Sequence, residues 1–295
     1  MPHTMNTTQK IQAPGFFRFT LGKKLITVLS DGYFASNDLL TNISKDQVEA
    51  LLVGDIRSSE NYRVSINVFL VEEGDKKYLI DAGLGSFFDA NAGHLHRNLK
   101  LAGNDPSEIT AVLATHLHLD HIGGIFNSDG KRLFPNADLW VTRQEVDFWT
   151  NTEIQKNAPE GADSYFVMAQ KALQTYEGRV RFIEENSEIA PGIKAIPLFG
   201  HTPGHVGYSI ESEGQKLLIW GDLINAFVQI QRPDVGFLSD VNTQDATKKR
   251  KQIFGMAAES KMLISGMHLP FPGVGFIQKS GEGYRFVPLL WHGNL

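Results

Sequence analysis

Thr115-His116-Leu117-His118-Leu119-Asp120-His121 places four metal-capable side chains within six residues. The run before it, Ile109 to Ala114, is apolar and β-prone; Ile122-Gly123-Gly124 follows it. That order reads as a strand ending in a tight, glycine-assisted turn into a helix. On such a loop, residues two apart can turn towards one point. His116 and His118 are therefore expected to chelate one metal, while Asp120 and His121 face a second. Imidazole and carboxylate suit borderline-hard divalent ions, zinc foremost.

The rest of the chain repeats this grammar. Ile193 to Leu198 is a candidate strand that ends in Gly200-His201-Thr202-Pro203-Gly204-His205. Leu217 to Trp220 ends in Gly221-Asp222, and Met262 to Ile264 ends in Ser265-Gly266-Met267-His268. Each chemical residue follows a short apolar strand, where α/β folds gather their reactive groups. We expect His116, His118 and His201 on one metal and Asp120, His121 and His268 on the other, with Asp222 bridging. His205 is expected to hold its loop by hydrogen bonding. Asp81, at the end of the strand Tyr78 to Ile80, is expected to cap a turn or to orient a ligand histidine from behind.

Composition narrows the class. The chain has 295 residues, 42% hydrophobic and 21% charged, ordinary values for a globular protein. A net charge of −5 gives no basic footprint for nucleic acid. The absence of cysteine excludes disulfides, thiolate nucleophiles and cysteine-ligated zinc. No apolar run approaches the ~18 residues of a membrane span, and Met1 to Gln12 lacks the apolar core of a signal peptide. A cytoplasmic location is the expectation.

Residues 1–13 read as a mobile N-terminal arm before a single hydrolase domain at 14–295. Phe16 to Leu29 reads as a hairpin around Gly22-Lys23-Lys24. Ser44 and Gln47 form a capping box for a short helix that Gly54 ends. Val64 to Val71 is a strand, and Gly93 to Ala102 a helix in which His94 and His96 point to different faces. Amphipathic helices follow at about Asp163 to Tyr176 and at Asp245 to Ala258. The Lys248-Lys249-Arg250-Lys251 run in the latter is expected to be a solvated face. Strand alternates with helix twice over, with no linker between, which indicates one α/β domain.

HxHxDH, then Gly-His-Thr-Pro-Gly-His, then Gly-Asp, then a late histidine resembles the metallo-β-lactamase superfamily. The resemblance implies an αβ/βα sandwich of two mixed sheets flanked by helices, with a two-zinc site on one edge. Leu133-Phe134-Pro135-Asn136-Ala137, Asp147-Phe148-Trp149, His268-Leu269-Pro270-Phe271-Pro272-Gly273 and Gly281 to Pro288 look like the methyl parathion hydrolase and acyl-homoserine lactonase group. Similarity to that group covers about residues 60 to 290 and implies a homodimer. The common zinc β-lactamases use a cysteine ligand, which this chain lacks. Flavodiiron proteins carry Glu where His118 stands, and glyoxalase II adds a helical thiol-binding region not found here.

The resemblance implies a metal-dependent hydrolase in which hydroxide, available near neutral pH from a shared water, attacks a carbonyl or phosphoryl centre. Asp120 is the expected proton shuttle. Lactone opening, with acyl-homoserine lactones as substrates and hence quorum quenching, is the expected activity. Phosphotriester or arylester hydrolysis is the alternative, and a catalytically idle metal-binding homologue the alternative of another class. Phe88 and Trp149 match aromatic pocket positions of the group, with Phe126, Phe148 and Phe227 as additions to the wall. The smaller lactonases carry a tyrosine three residues after the bridging aspartate. Asn225 stands there, so metal or the Asn225 amide must meet the substrate carbonyl.

Overall fold

The computed structural model describes residues 13, 15–35, 39–54, 63–87, 91–184 and 186–293. The expected arm, apart from Ala13, lies outside them. The first half of the chain contributes β1 (Phe16–Leu21), β2 (Lys24–Ala35), β3 (Leu40–Thr41), α1 (Lys45–Gly54), β4 (Arg63–Glu73), β5 (Lys76–Ile80), α2 (Leu95–Leu101), β6 (Ala111–Leu113), α3 (Leu119–Ile122), β7 (Asp138–Thr142), α4 (Arg143–Trp149), α5 (Thr152–Lys156), α6 (Asp163–Thr175) and β8 (Val180–Ile183). The second half adds β9 (Glu188–Ala190), β10 (Ile193–Pro197), β11 (Val206–Ser212), β12 (Gln215–Ile219), α7 (Val228–Gln231), β13 (Gly236–Phe237), α8 (Thr243–Ser260), β14 (Leu263–Ser265), β15 (Val274–Ser280) and β16 (Gly283–Pro288).

Two seven-stranded sheets result, ordered β1-β2-β4-β5-β6-β7-β8 and β16-β15-β14-β12-β11-β10-β9, with a small β13-β3 pair beside them. Both are mixed. β5 to β8 run parallel in the first, and β12 pairs parallel with β14 in the second. Strand alternation explains the layering. In β4, Phe69 and Val71 face the second sheet, while Val68 and Leu70 face the helices. Ile26, Val28, Leu113, Ile193, Tyr208, Ile210 and Ile219 fill the layer between the sheets. Burying each such large apolar side chain contributes roughly 1.5–3 kcal/mol. Helices α2, α4 and α6 cover one outer face and α8 the other, giving the expected αβ/βα sandwich.

The local signals act where they were read. Ser44 Oγ accepts the Gln47 amide and Gln47 Oε1 accepts the Ser44 amide, which starts α1. The α8 surface differs from expectation at one residue. Arg250 is fully buried, because it falls on the same stripe as Ala246, Ile253, Phe254 and Ala257. Its guanidinium donates to the carbonyls of Leu223, Pro233 and Val235. The other basic residues of that run keep the solvated face.

The parallel strands aim their C-terminal ends at one edge. Cross-sheet bonds knit that edge together: Tyr208 Oη donates to the Ala114 carbonyl at 2.7 Å, and the Val206 amide to Thr115 at 3.0 Å. Asn67 of β4 reaches across to the carbonyls of Gly266 and Leu269, which fixes the loop carrying His268.

Candidate metal centre

The seven residues read from the sequence arrive at this edge from four strand ends. His116, His118, Asp120 and His121 follow β6, His201 follows β10, Asp222 follows β12 and His268 follows β14. Ligand-capable atoms of His116, His118, His201 and Asp222 lie within 4.8 Å of one another, and so do those of Asp120, His121 and His268. Asp222 spans both groups. One of its oxygens is 3.4 Å from His201 Nε2, 3.9 Å from His116 Nε2 and 3.2 Å from His268 Nε2; the other is 3.2 Å from His121 Nε2. Asp120 Oδ2 stands 3.3 Å from His268 Nε2 and 3.6 Å from His121 Nε2.

An oxygen behind the ring orients most of these imidazoles through Nδ1. Thr115 Oγ1 serves His116, Asp81 serves His121 at 2.6 Å, Asp240 serves His201 at 2.9 Å, and the Ser65 carbonyl serves His268 at 2.9 Å. That leaves Nε2 pointing inward, the arrangement that fixes tautomer and aim in metal-binding histidines. His118 differs, with Nδ1 facing His201 Nε2 at 3.0 Å. Asp81 sits at φ +58° and also accepts the amide and hydroxyl of Thr115, so one carboxylate positions the turn and the ring of His121.

Electrostatics divides the two groups. Burial, reinforced by neighbouring imidazoles, pushes His116 and His118 well below the ordinary histidine value, into the neutral ligand form. Burial acts the same way on His121, but the carboxylates of Asp222, Asp120 and Asp81 outweigh it and raise it well above 6.5. For His268 burial is likewise outweighed, by Asp222 and Asp120, and it rises to about 10. Burial alone would raise the two aspartates. The facing His121 and His268 instead hold Asp120 at about 2 and Asp222 well below 3.8.

His205 stands beside the site. Its Nδ1 donates to the Leu198 carbonyl and its Nε2 accepts the Asp222 amide, so it holds the loop and presents Asp222. Gly221 makes room for it: a Cβ there would lie 2.4 Å from His205 Nε2. Asn225 is buried, and its amide nitrogen donates to Asp222 Oδ2 at 2.6 Å. Trp149 is buried too, its ring edge-on to His118 at 5.3 Å. Phe126 lies wholly within the core, and Phe227 is buried among the residues under α8. Phe88 lies outside the described residues.

Four contributors escaped sequence reading. Asp240 and Arg250 sit on or beside α8. Tyr165 of α6 lies tilted against His118, ring centroids 5.0 Å apart, half-buried. Glu145 of α4 is fully buried and bonds to the loops that carry His116 and His118 and that carry His201. Only a Thr-x-x-Glu pattern at 142–145 could have flagged Glu145, and it points to a helix cap.

Comparison with known proteins gives a consistent picture. The family model described as Metallo-beta-lactamase superfamily matches residues 61–259. A crystal structure described as hydrolase AbOPH in the beta lactamase superfamily is 31% identical, with TM-score 0.89, covering 96% of this chain and 100% of that one. AidC, described as a dizinc quorum-quenching lactonase in complex with a product, N-hexanoyl-L-homoserine, is 29% identical with TM-score 0.90, covering 95% and 99%. An N-acyl homoserine lactonase of Bacillus sp is 29% identical over 115 residues, 39% of this chain and 38% of that protein's length. Among the described residues, no helix is long and apolar enough to cross a membrane.

Proposed function

Because this chain belongs to the metallo-beta-lactamase superfamily, we propose that it is a dinuclear zinc hydrolase that opens lactone rings, with N-acyl-homoserine lactones as its substrate class. The observation that carries the reading is two groups of ligand-capable side chains joined by one carboxylate, Asp222. The donor set fits two divalent cations. His116 Nε2 is buried without a hydrogen-bond partner, and His121 Nε2 and Asp222 Oδ1, also buried, face each other at 3.2 Å outside hydrogen-bond geometry; such atoms are costly unless an ion satisfies them. All-imidazole-and-carboxylate ligation with no cysteine is the chemistry of catalytic zinc sites. His116, His118 and His201 would hold one ion, Asp120, His121 and His268 the other, and Asp222 both.

Zinc in such a site supplies Lewis acidity and brings the pKa of water down to about 7. The chain's own residues do the rest. Ring opening consumes one water, breaks the acyl carbon–oxygen bond and leaves a carboxylate and a hydroxyl. The proton that ends on the ring oxygen passes through Asp120, the one carboxylate of the set with appreciable solvent access, its side chain 19% exposed. Asn225 is committed to Asp222, so it steadies the shared ligand. The donor to the substrate carbonyl in this reading is Tyr165, whose hydroxyl no hydrogen bond engages among the described residues. The homodimer stays part of the reading; light scattering should give twice the monomer mass.

Arylester or phosphotriester hydrolysis is the second reading, favoured by the Leu133 to Ala137 and Gly281 to Pro288 segments, which resemble methyl parathion hydrolase. The deciding experiment compares steady-state kcat/KM for short- and long-chain acyl-homoserine lactones, an arylester and a phosphotriester on one zinc-loaded preparation. Chelated protein and Asp120→Asn are the controls. Lactone preference of several orders, lost in both controls, supports the proposal; the reverse ranking establishes the second reading. Absence of metal-dependent hydrolysis of any of them would make the protein an idle homologue.

A further inference from the structure

Thr142-Arg143-Gln144-Glu145 has the spacing of a capping box, in which the glutamate turns back onto the first amide of its helix. Thr142 does cap α4, its hydroxyl accepting the Glu145 amide at 3.3 Å. The Glu145 side chain goes elsewhere. One oxygen accepts the Leu117 amide at 3.0 Å and the Trp149 indole N–H at 2.7 Å; the other accepts the Gly204 amide at 2.8 Å.

These three donors share a destination. Leu117 lies between His116 and His118. Gly204 lies in the loop between His201 and His205. Trp149 backs the His118 ring. The approach needs glycine at 204, since a Cβ there would come 2.5 Å from the Glu145 amide nitrogen and 2.3 Å from Thr142 Oγ1. The other group has supports of its own, since Asp81 holds His121 and the Ser65 carbonyl holds His268. A fully buried carboxylate is expensive, and burial raises its pKa; an apolar residue would serve plain packing at lower cost.

We propose that Glu145 is a positioning residue that sets the affinity of one metal position, that of His116, His118, His201 and Asp222, by hanging its two histidine-bearing loops and the brace behind His118 from one carboxylate. The proposal rests on the two-metal reading above and deepens it. Glu145→Gln keeps the shape, but its one carbonyl can serve only one side, so the N–H₂ opposes either the Gly204 amide or the Leu117 and Trp149 donors, and the two loops separate. The second position keeps its own supports.

The test titrates metal-free protein with Co²⁺ by calorimetry, alongside Trp149 fluorescence taken as the difference between parent and Trp149→Phe. The parent should bind two ions. Glu145→Gln should weaken one position roughly 10- to 100-fold, as loss of an outer support does, and leave the other unchanged. Quenching of Trp149 should follow the weakened position. A merely structural role lowers the melting temperature of the metal-free protein without changing the ratio of the two affinities. If Glu145→Gln does not fold, Trp149→Phe carries the test, with a smaller loss expected at the same position. Unchanged affinities, or equal loss at both positions, overturn the proposal while the two-metal reading stands. A parent that binds no ion overturns both.

Discussion

Replacing Asp81 with asparagine probes the second metal position without touching a ligand. Asp81 accepts the Thr115 amide at 2.7 Å, the Thr115 hydroxyl at 2.8 Å and His121 Nδ1 at 2.6 Å. In Asp81→Asn the amide oxygen keeps the Thr115 N–H, and the Thr115 hydroxyl rotates to accept from the new N–H₂. His121 has no such freedom. Its Nδ1 now faces a donor, so the ring proton moves to Nε2, the atom aimed at Asp222 and Asp120. A metal needs that atom bare. The penalty should match other losses of a carboxylate behind a ligand histidine, about 10- to 100-fold in affinity, or about 1.4–2.8 kcal/mol. The fold should barely notice, because two contacts survive and a buried charge disappears; about 1 kcal/mol either way is expected. Paired measurements check this: zinc titration calorimetry for the two affinities, and urea unfolding of the metal-free protein. Undiminished affinity at both positions, or a variant that fails to fold, would refute the reasoning.

Two further predictions concern the frame around the site. Arg250→Met should destabilise the protein by about 3–5 kcal/mol in denaturant melts, because three buried carbonyls lose a charged donor, one of them next to Asp222; a loss near zero would mean the loop supports itself. Asp31 accepts amides from Leu84, Gly93 and Leu95, yet burial outweighs those bonds and raises its carboxyl from 3.8 to about 6. A folded value above the unfolded one means its contribution is complete below about pH 4 and is lost as pH rises through about 6. Asp31→Asn should therefore gain on the parent by about 3 kcal/mol between pH 4 and 7.5, read from urea unfolding at each pH. A pH-independent difference would show that the three amides keep the carboxylate ionised.

What could be read from the sequence was what adjacent letters encode. The candidate ligands lie on strand-ending loops in short motifs, and strand periodicity announced those loops, so His116, His118, Asp120, His121, His201, Asp222 and His268 could be picked out, and the fold gathers them into two groups. The supports could not. Glu145 looks like a cap because its three partners lie 28 residues before, 4 after and 59 after it, and only the assembled sandwich brings them together. Arg250 looks solvated because it sits among lysines; helix phase puts that one cation inward. Asn225 lies in the expected position, but its role turns on a neighbour, since the amide is drawn to Asp222. Asp240 carries no local signal at all, being a loop aspartate that meets His201 only through tertiary packing.

In the proposed reaction, two metal ions held by these seven side chains open a lactone. The direct measurement is kcat/KM for N-hexanoyl-homoserine lactone during stepwise zinc addition to metal-free protein, with bound metal counted at each step. Turnover should reach its maximum as the second equivalent binds, and should be lost, together with one bound ion, when His268 is replaced by alanine. Full turnover in metal-free protein, or a maximum with no metal on these residues, would contradict it.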